Sequence, residues 1–140
     1  MTIGEQEKIL VEEFRLLGND WEPRYEYIID LGKELPPFDP SMKKDQLLIK
    51  GCQSKVWLTS ELKDGKVYYR ADSDAAIPKG IVAMMLRVLS GQTPDAIVGA
   101  PLEFISEIGL KEHLSPTRAN GLVSMIKQMK LDALAYKTKV

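Results

Sequence analysis

The chain has 140 residues, with 19 basic and 20 acidic side chains and a formal net charge of −1 at pH 7. That length suits a single domain over residues 1–140 with a real core, and the balanced charge lacks the basic excess that would gather the protein on nucleic acid or an anionic membrane. Hydrophobic residues at 44% and charged residues at 28% are ordinary for a globular chain and exclude a disordered one.

The opening stretch, Met1 to Lys8, is acidic and polar where a secretory signal needs a basic start and an apolar run, and no later apolar run approaches a membrane span. A cytoplasmic protein is expected. Leu10, Phe14 and Leu17 recur at helical spacing and predict a first helix that stops near Gly18-Asn19. Trp21, Tyr25, Ile28 and Leu35 predict a second, ended by Pro36-Pro37.

The period then changes. Val56 to Leu62 and Val67 to Ala71 are rich in β-branched and aromatic residues, and Asp64-Gly65 between them suits a tight hairpin turn. A third strand is expected at Gln46 to Lys50, because an isolated two-stranded ribbon is marginal and Leu47-Leu48-Ile49 needs burial. Asp72-Ser73-Asp74 reads as a polar turn leading into a helix from about Ile77 to Leu89, carried by Ile81, Met84 and Val88. Thr93-Pro94 opens a short helix, and Pro101 to Leu110 is assigned another. Ser115 caps the last helix, with Pro116 in its first turn and Leu122, Ile126, Met129, Ala133 and Tyr136 along one face. The architecture is α+β, a small antiparallel sheet of about three strands covered by helices.

Cys52 is the only cysteine, so no internal disulfide can form and any sulfur chemistry falls on this one thiol. A single cysteine in a globular domain is usually a small buried hydrophobe or a chance surface thiol. Its setting, Gly51-Cys52-Gln53-Ser54, argues for more. Gly51 leaves access to the sulfur and adopts backbone angles closed to other residues, while Gln53 and Ser54 bring donors that favour a thiolate. One His and one Cys cannot furnish an ordinary zinc or cluster ligand set, and no glycine-rich phosphate loop is present. His113, far from Cys52 in sequence, reads as a solvated surface residue outside the site. Trp57 reads as a core anchor for the strand behind the loop, and Leu47 to Ile49 as an apolar recess that shelters an idle sulfur.

Gly51-Cys52-Gln53-Ser54-Lys55-Val56-Trp57-Leu58, Asp72-Ser73-Asp74-Ala75-Ala76-Ile77 and Leu114-Ser115-Pro116-Thr117-Arg118-Ala119-Asn120-Gly121-Leu122, in that order, resemble the SufE family of sulfur-acceptor proteins. Trp21, Tyr25 to Gly32 and Leu35-Pro36 extend the resemblance over most of the chain. Pro78 departs from it, standing where a helix-forming aliphatic residue is expected. The resemblance implies a fold similar to iron-sulfur scaffold proteins. It also implies a function: Cys52 takes sulfane sulfur from the persulfide of a cysteine desulfurase, stimulates that enzyme and passes the sulfur to an iron-sulfur cluster assembly scaffold. The pyridoxal phosphate belongs to the desulfurase, and the carrier needs no cofactor or metal of its own.

Arg118, in the first turn of the last helix where the dipole disfavours a cation, is the candidate for answering an anion on the partner or at Cys52. By resemblance Asp72 and Asp74 join it in partner recognition, although such aspartates also serve simply as turn and cap residues. Two other roles compete. A cluster scaffold would have to share Cys52 across a dimer, and a protein-interaction regulator of the desulfurase would not need the thiol at all.

Overall fold

The computed structural model describes residues 1–138. Its elements follow in the order α1 (Ile3–Leu16), α2 (Trp21–Lys33), β1 (Val56–Lys63), β2 (Lys66–Ser73), α3 (Ala76–Leu89), α4 (Pro94–Gly99), α5 (Phe104–Ile108) and α6 (Pro116–Lys137). Helix α1 starts on a capping box in which the Thr2 hydroxyl accepts from the Glu5 N–H and the Glu5 carboxylate accepts from the Thr2 N–H. Its exit runs through Gly18 at φ +78, as Gly18-Asn19 predicts. Helix α2 ends at Lys33, before the two prolines, and Leu35 packs on the core from the turn that follows.

The hairpin forms as expected. Strands β1 and β2 pair antiparallel from Val56 opposite Ser73 to Lys63 opposite Lys66. They turn through Asp64 and Gly65, both at positive φ (52 and 78), the geometry that matches strand twist in a two-residue turn. The expected third strand does not form, and among the described residues the sheet has two strands. Asp45–Leu47 winds into a 3-10 turn, after which Leu48 makes one isolated bridge to Trp57. Ile49 reaches burial at 4% exposure from there, so the apolar run is satisfied without a strand. What stabilises the ribbon is helical cover: the Tyr69 hydroxyl donates to the Met129 carbonyl of α6 at 2.7 Å, and Tyr136 of α6 donates to the Ser60 carbonyl at 2.8 Å. Burial raises the Tyr69 pKa and keeps its proton in that bond.

Helix α3 is apolar nearly all round, from Pro78 to Leu89, as suits an element enclosed by others. Its crossing with α2 is backbone to backbone. A Cβ on Gly80 would lie 2.0 Å from the Ile28 carbonyl oxygen, and one on Gly32 would lie 2.8 Å from the Gly80 nitrogen. This contact fixes the N-terminal half of α3, which carries Pro78 and Ile81 to the base of the Cys52 loop. Pro78 stands inside the first turn of α3, where a missing N–H leaves no helical bond unmade, so the departure noted in the sequence is harmless to the helix.

Buried Arg24 of α2 joins the ends of two other helices by donating to the Gly18 carbonyl at 2.9 Å and the Ile108 carbonyl at 3.0 Å. Both acceptors sit at helix C-termini, where the backbone dipole favours a cation.

Candidate functional site

The Cys52 loop is pinned at both ends. On the entry side the Ile49 N–H donates to the Val56 carbonyl at 2.8 Å. On the exit side Lys55 is gripped by the turn after β2: its N–H donates to Asp74 Oδ1 at 3.0 Å, and its carbonyl accepts from the Ser73 hydroxyl at 2.7 Å and the Asp74 N–H at 3.2 Å. Gly51 adopts φ +92, and a Cβ there would lie 2.3 Å from Ser124 Oγ, so glycine is required both for the turn and for the seat of the loop on α6.

Cys52 is half-buried and turned toward α6, where its thiol donates to the Gly121 carbonyl at 3.6 Å, its one hydrogen-bond partner among the described residues. Burial pushes the thiol pKa up. Gln53 and Ser54, expected to favour a thiolate, make no hydrogen bond to the sulfur, and a carbonyl acceptor favours the protonated form instead. In this conformation the sulfur is at rest.

Beside it opens a cavity of about 340 Å³ whose lining includes Cys52, Pro78, Ile81, Arg118, Gly121 and Met125. The recess expected from Leu47 to Ile49 therefore has different walls: α3 and α6 build it, while Ile49 turns into the core. Arg118 stands where the last helix begins, above the Ser115 hydroxyl that accepts its backbone N–H at 3.3 Å. Its guanidinium is exposed and, among the described residues, has no ion pair.

The two aspartates differ. Asp72 is held by Lys43 at 3.1 Å and Lys79 at 3.2 Å, and it also accepts the Ser73 N–H at 2.8 Å. Burial works against this carboxylate, but Lys43, the Ser73 N–H and Lys79 together keep its pKa below the usual range. It faces its own chain, as does Asp74 through Lys55. Trp57, opposite Asp72 in register, is buried at 9% exposure and lies under the Lys43 ammonium, as an anchor should. His113 is not simply solvated: its ring stacks on Trp21 at 4.0 Å, and it does not line the Cys52 cavity.

Sequence reasoning missed Ile81, Met125, Gly121 and Ser124. The first two look like any core residues. Gly121 carried a signal, since glycine inside a helix costs about 1 kcal/mol relative to alanine and asks for a reason. Among the described residues no group of three or more His, Cys, Asp or Glu side chains is placed to hold a metal ion, and no helix is long and apolar enough to cross a membrane.

The site is thus a half-buried thiol on a pinned loop beside a cavity, with Arg118 on the rim and, among the described residues, no ion pair to that arginine and no metal ligand set. The family model for SufE, the Fe-S metabolism associated domain, matches residues 8–133, and the chain belongs to that family, with a role in iron-sulfur metabolism. An uncharacterised SufE-like protein of Synechocystis is 40% identical over 128 residues, covering 91% of this chain and 80% of that protein. Another, of Rhizobium meliloti, is 39% identical over 129 residues, covering 89% and 91%. The solution structure of a hypothetical protein from Thermus thermophilus superposes with a TM-score of 0.78 at 22% identity, covering 95% of this chain and 96% of that one, and shows the same fold.

Proposed function

We propose that the protein accepts sulfane sulfur from a cysteine desulfurase onto Cys52, stimulates that enzyme by clearing its persulfide, and delivers the sulfur to an iron-sulfur cluster scaffold in the cytoplasm. The observation that carries this reading is the placement of Cys52: a thiol on a loop tip, half-buried beside a cavity, with an uncommitted arginine on the cavity rim. No cofactor of its own enters the chemistry; pyridoxal phosphate acts on the desulfurase.

The transfer balances without an oxidant. The Cys52 thiolate attacks the outer sulfur of the desulfurase persulfide, a new S–S bond forms at Cys52, and the donor cysteine leaves as a thiolate. The proton on the outer sulfur stays with it. One S–S bond forms as one breaks, so direction comes from the downstream consumer.

A free thiol of pKa about 8.5 is only a few per cent thiolate at neutral pH, and burial at Cys52 lowers that fraction further. Reaction therefore calls for the loop to leave its seat on α6 when the partner docks. Arg118 then faces either the partner or the new anion, and Asp74 sets how readily the loop moves by holding Lys55.

The test is mass spectrometry after incubation with a desulfurase, pyridoxal phosphate and cysteine. One added sulfur on Cys52, absent from Cys52→Ser, is expected. Stimulation of the desulfurase by both forms with no added sulfur on either would leave a protein-interaction regulator in its place.

A further inference from the structure

We propose that Gly121 is a positioning residue for the loaded state of Cys52, its bare Cα leaving the space into which the outer sulfur of a persulfide turns. This rests on the carrier function above and extends it to a residue of α6.

Three other glycines are explained by the protein as it stands. Gly32, Gly51 and Gly80 would each place a Cβ within 2.8, 2.3 and 2.0 Å of another atom. Gly121 is different. A Cβ there would meet only Cys52 Sγ, at 3.5 Å, an ordinary van der Waals contact, and its φ lies outside the left-handed region. Neither backbone nor packing of the unmodified protein requires glycine, yet the residue lies inside a helix of 22 residues, where alanine is the better former. Gly4 of α1 and Gly99 of α4 are also uncrowded helical glycines, so lack of crowding alone asks for nothing. What singles out Gly121 is that the one atom a Cβ there would meet is the Cys52 sulfur, so its bare Cα bears on whatever that sulfur acquires.

In the resting thiol, hydrogen points from Sγ toward the Gly121 carbonyl, with the heavy atoms 3.6 Å apart. A sulfur in place of that hydrogen would stand about 2 Å from Sγ, far too close to the carbonyl oxygen. The outer sulfur must therefore rotate about the Cβ–Sγ bond. Gly121 and Cys52 line the same cavity and a methyl group on Gly121 would already touch Sγ, so an outer sulfur that turns into that cavity on the side of α6 needs the bare Cα. With alanine at this position the thiol still fits, but the loaded cysteine loses that side and with it part of its shelter.

The test uses the full chain, loaded on Cys52 with inorganic polysulfide so that no desulfurase is needed, comparing the parent with Gly121→Ala. Two rates are measured: alkylation of the unloaded thiol by iodoacetamide, and loss of the outer sulfur to dithiothreitol. The variant is expected to fold with equal or higher thermal stability and to keep the parent's alkylation rate, while losing its outer sulfur about tenfold faster, as reactivity follows exposure. Equal persulfide lifetimes would overturn the assignment of Gly121. So would equal acceleration of both rates, which marks a general displacement of the loop. Failure of a desulfurase to load the parent at all would instead remove the carrier function.

Discussion

Asp74 and Lys55 bind each other reciprocally: Asp74 Oδ1 accepts the Lys55 N–H at 3.0 Å, and the Asp74 N–H donates to the Lys55 carbonyl at 3.2 Å. Lys55 closes the loop that bears Cys52, so the carboxylate acts on the sulfur through the backbone. Asp74→Ala is expected to lose about 1 kcal/mol of stability, the worth of one such bond. Iodoacetamide should then modify Cys52 roughly three- to tenfold faster in the free protein, because local opening becomes easier. An unchanged alkylation rate would show that the loop does not depend on this latch.

The pH dependence of Cys52 should report its burial. Desolvation disfavours the thiolate and raises the pKa, so the alkylation rate of the free protein should reach its midpoint above that of an unstructured cysteine peptide, near pH 8.5. Saturating desulfurase should move the midpoint down as the sulfur leaves α6. A free protein that titrates below the peptide would mean that a donor or cation reaches the sulfur at rest.

Arg118 sits at the positive end of α6 without an ion pair among the described residues, so Arg118→Ala should leave thermal stability within about 0.5 kcal/mol of the parent. Sulfur acceptance should fall all the same. Restoration of the rate at high acceptor concentration would place the guanidinium on the partner, and a deficit that persists at saturation would place it at the reacting sulfur. Unaltered transfer at every concentration would make it an ordinary surface side chain.

Glu13 of α1 is clamped by Arg87 of α3, with Arg87 Nη1 at 2.7 Å, and also accepts from the Tyr27 hydroxyl of α2. Hydrogen bonding from Arg87, helped by Tyr27, lowers the Glu13 pKa despite partial burial. A carboxylate with a depressed folded pKa contributes stability above its unfolded value, about 4.3, and that contribution is lost as pH falls through the folded pKa. Glu13→Gln should therefore cost about 2 kcal/mol at pH 7 in urea melts, with the gap to the parent closing in acid. A gap that stays constant down to acid denaturation would show that the charge on Glu13 does not matter.

Local chemistry explains why so much of the fold was legible. The hairpin rests on Asp64-Gly65, whose positive φ values only such residues adopt readily, and α6 starts where Ser115 and Pro116 require it. These signals act within a few residues and need no partner. The lone thiol at Cys52 and its glycine neighbour were equally plain.

The third strand at Gln46 to Lys50 failed because its premise was tertiary: the ribbon needed cover, which α3 and α6 supply, and the segment itself keeps only the Leu48 bridge beside β1. The ion pairs of Asp72 were equally illegible, since only the folded chain brings Lys43 and Lys79 to it. That one thiol stands on a turn beside a hairpin follows from the order of the amino acids, because composition and turn geometry are local properties. That this sulfur rests protonated against Gly121, between walls from α3 and α6, follows from folding, because packing and desolvation depend on elements far apart in the chain.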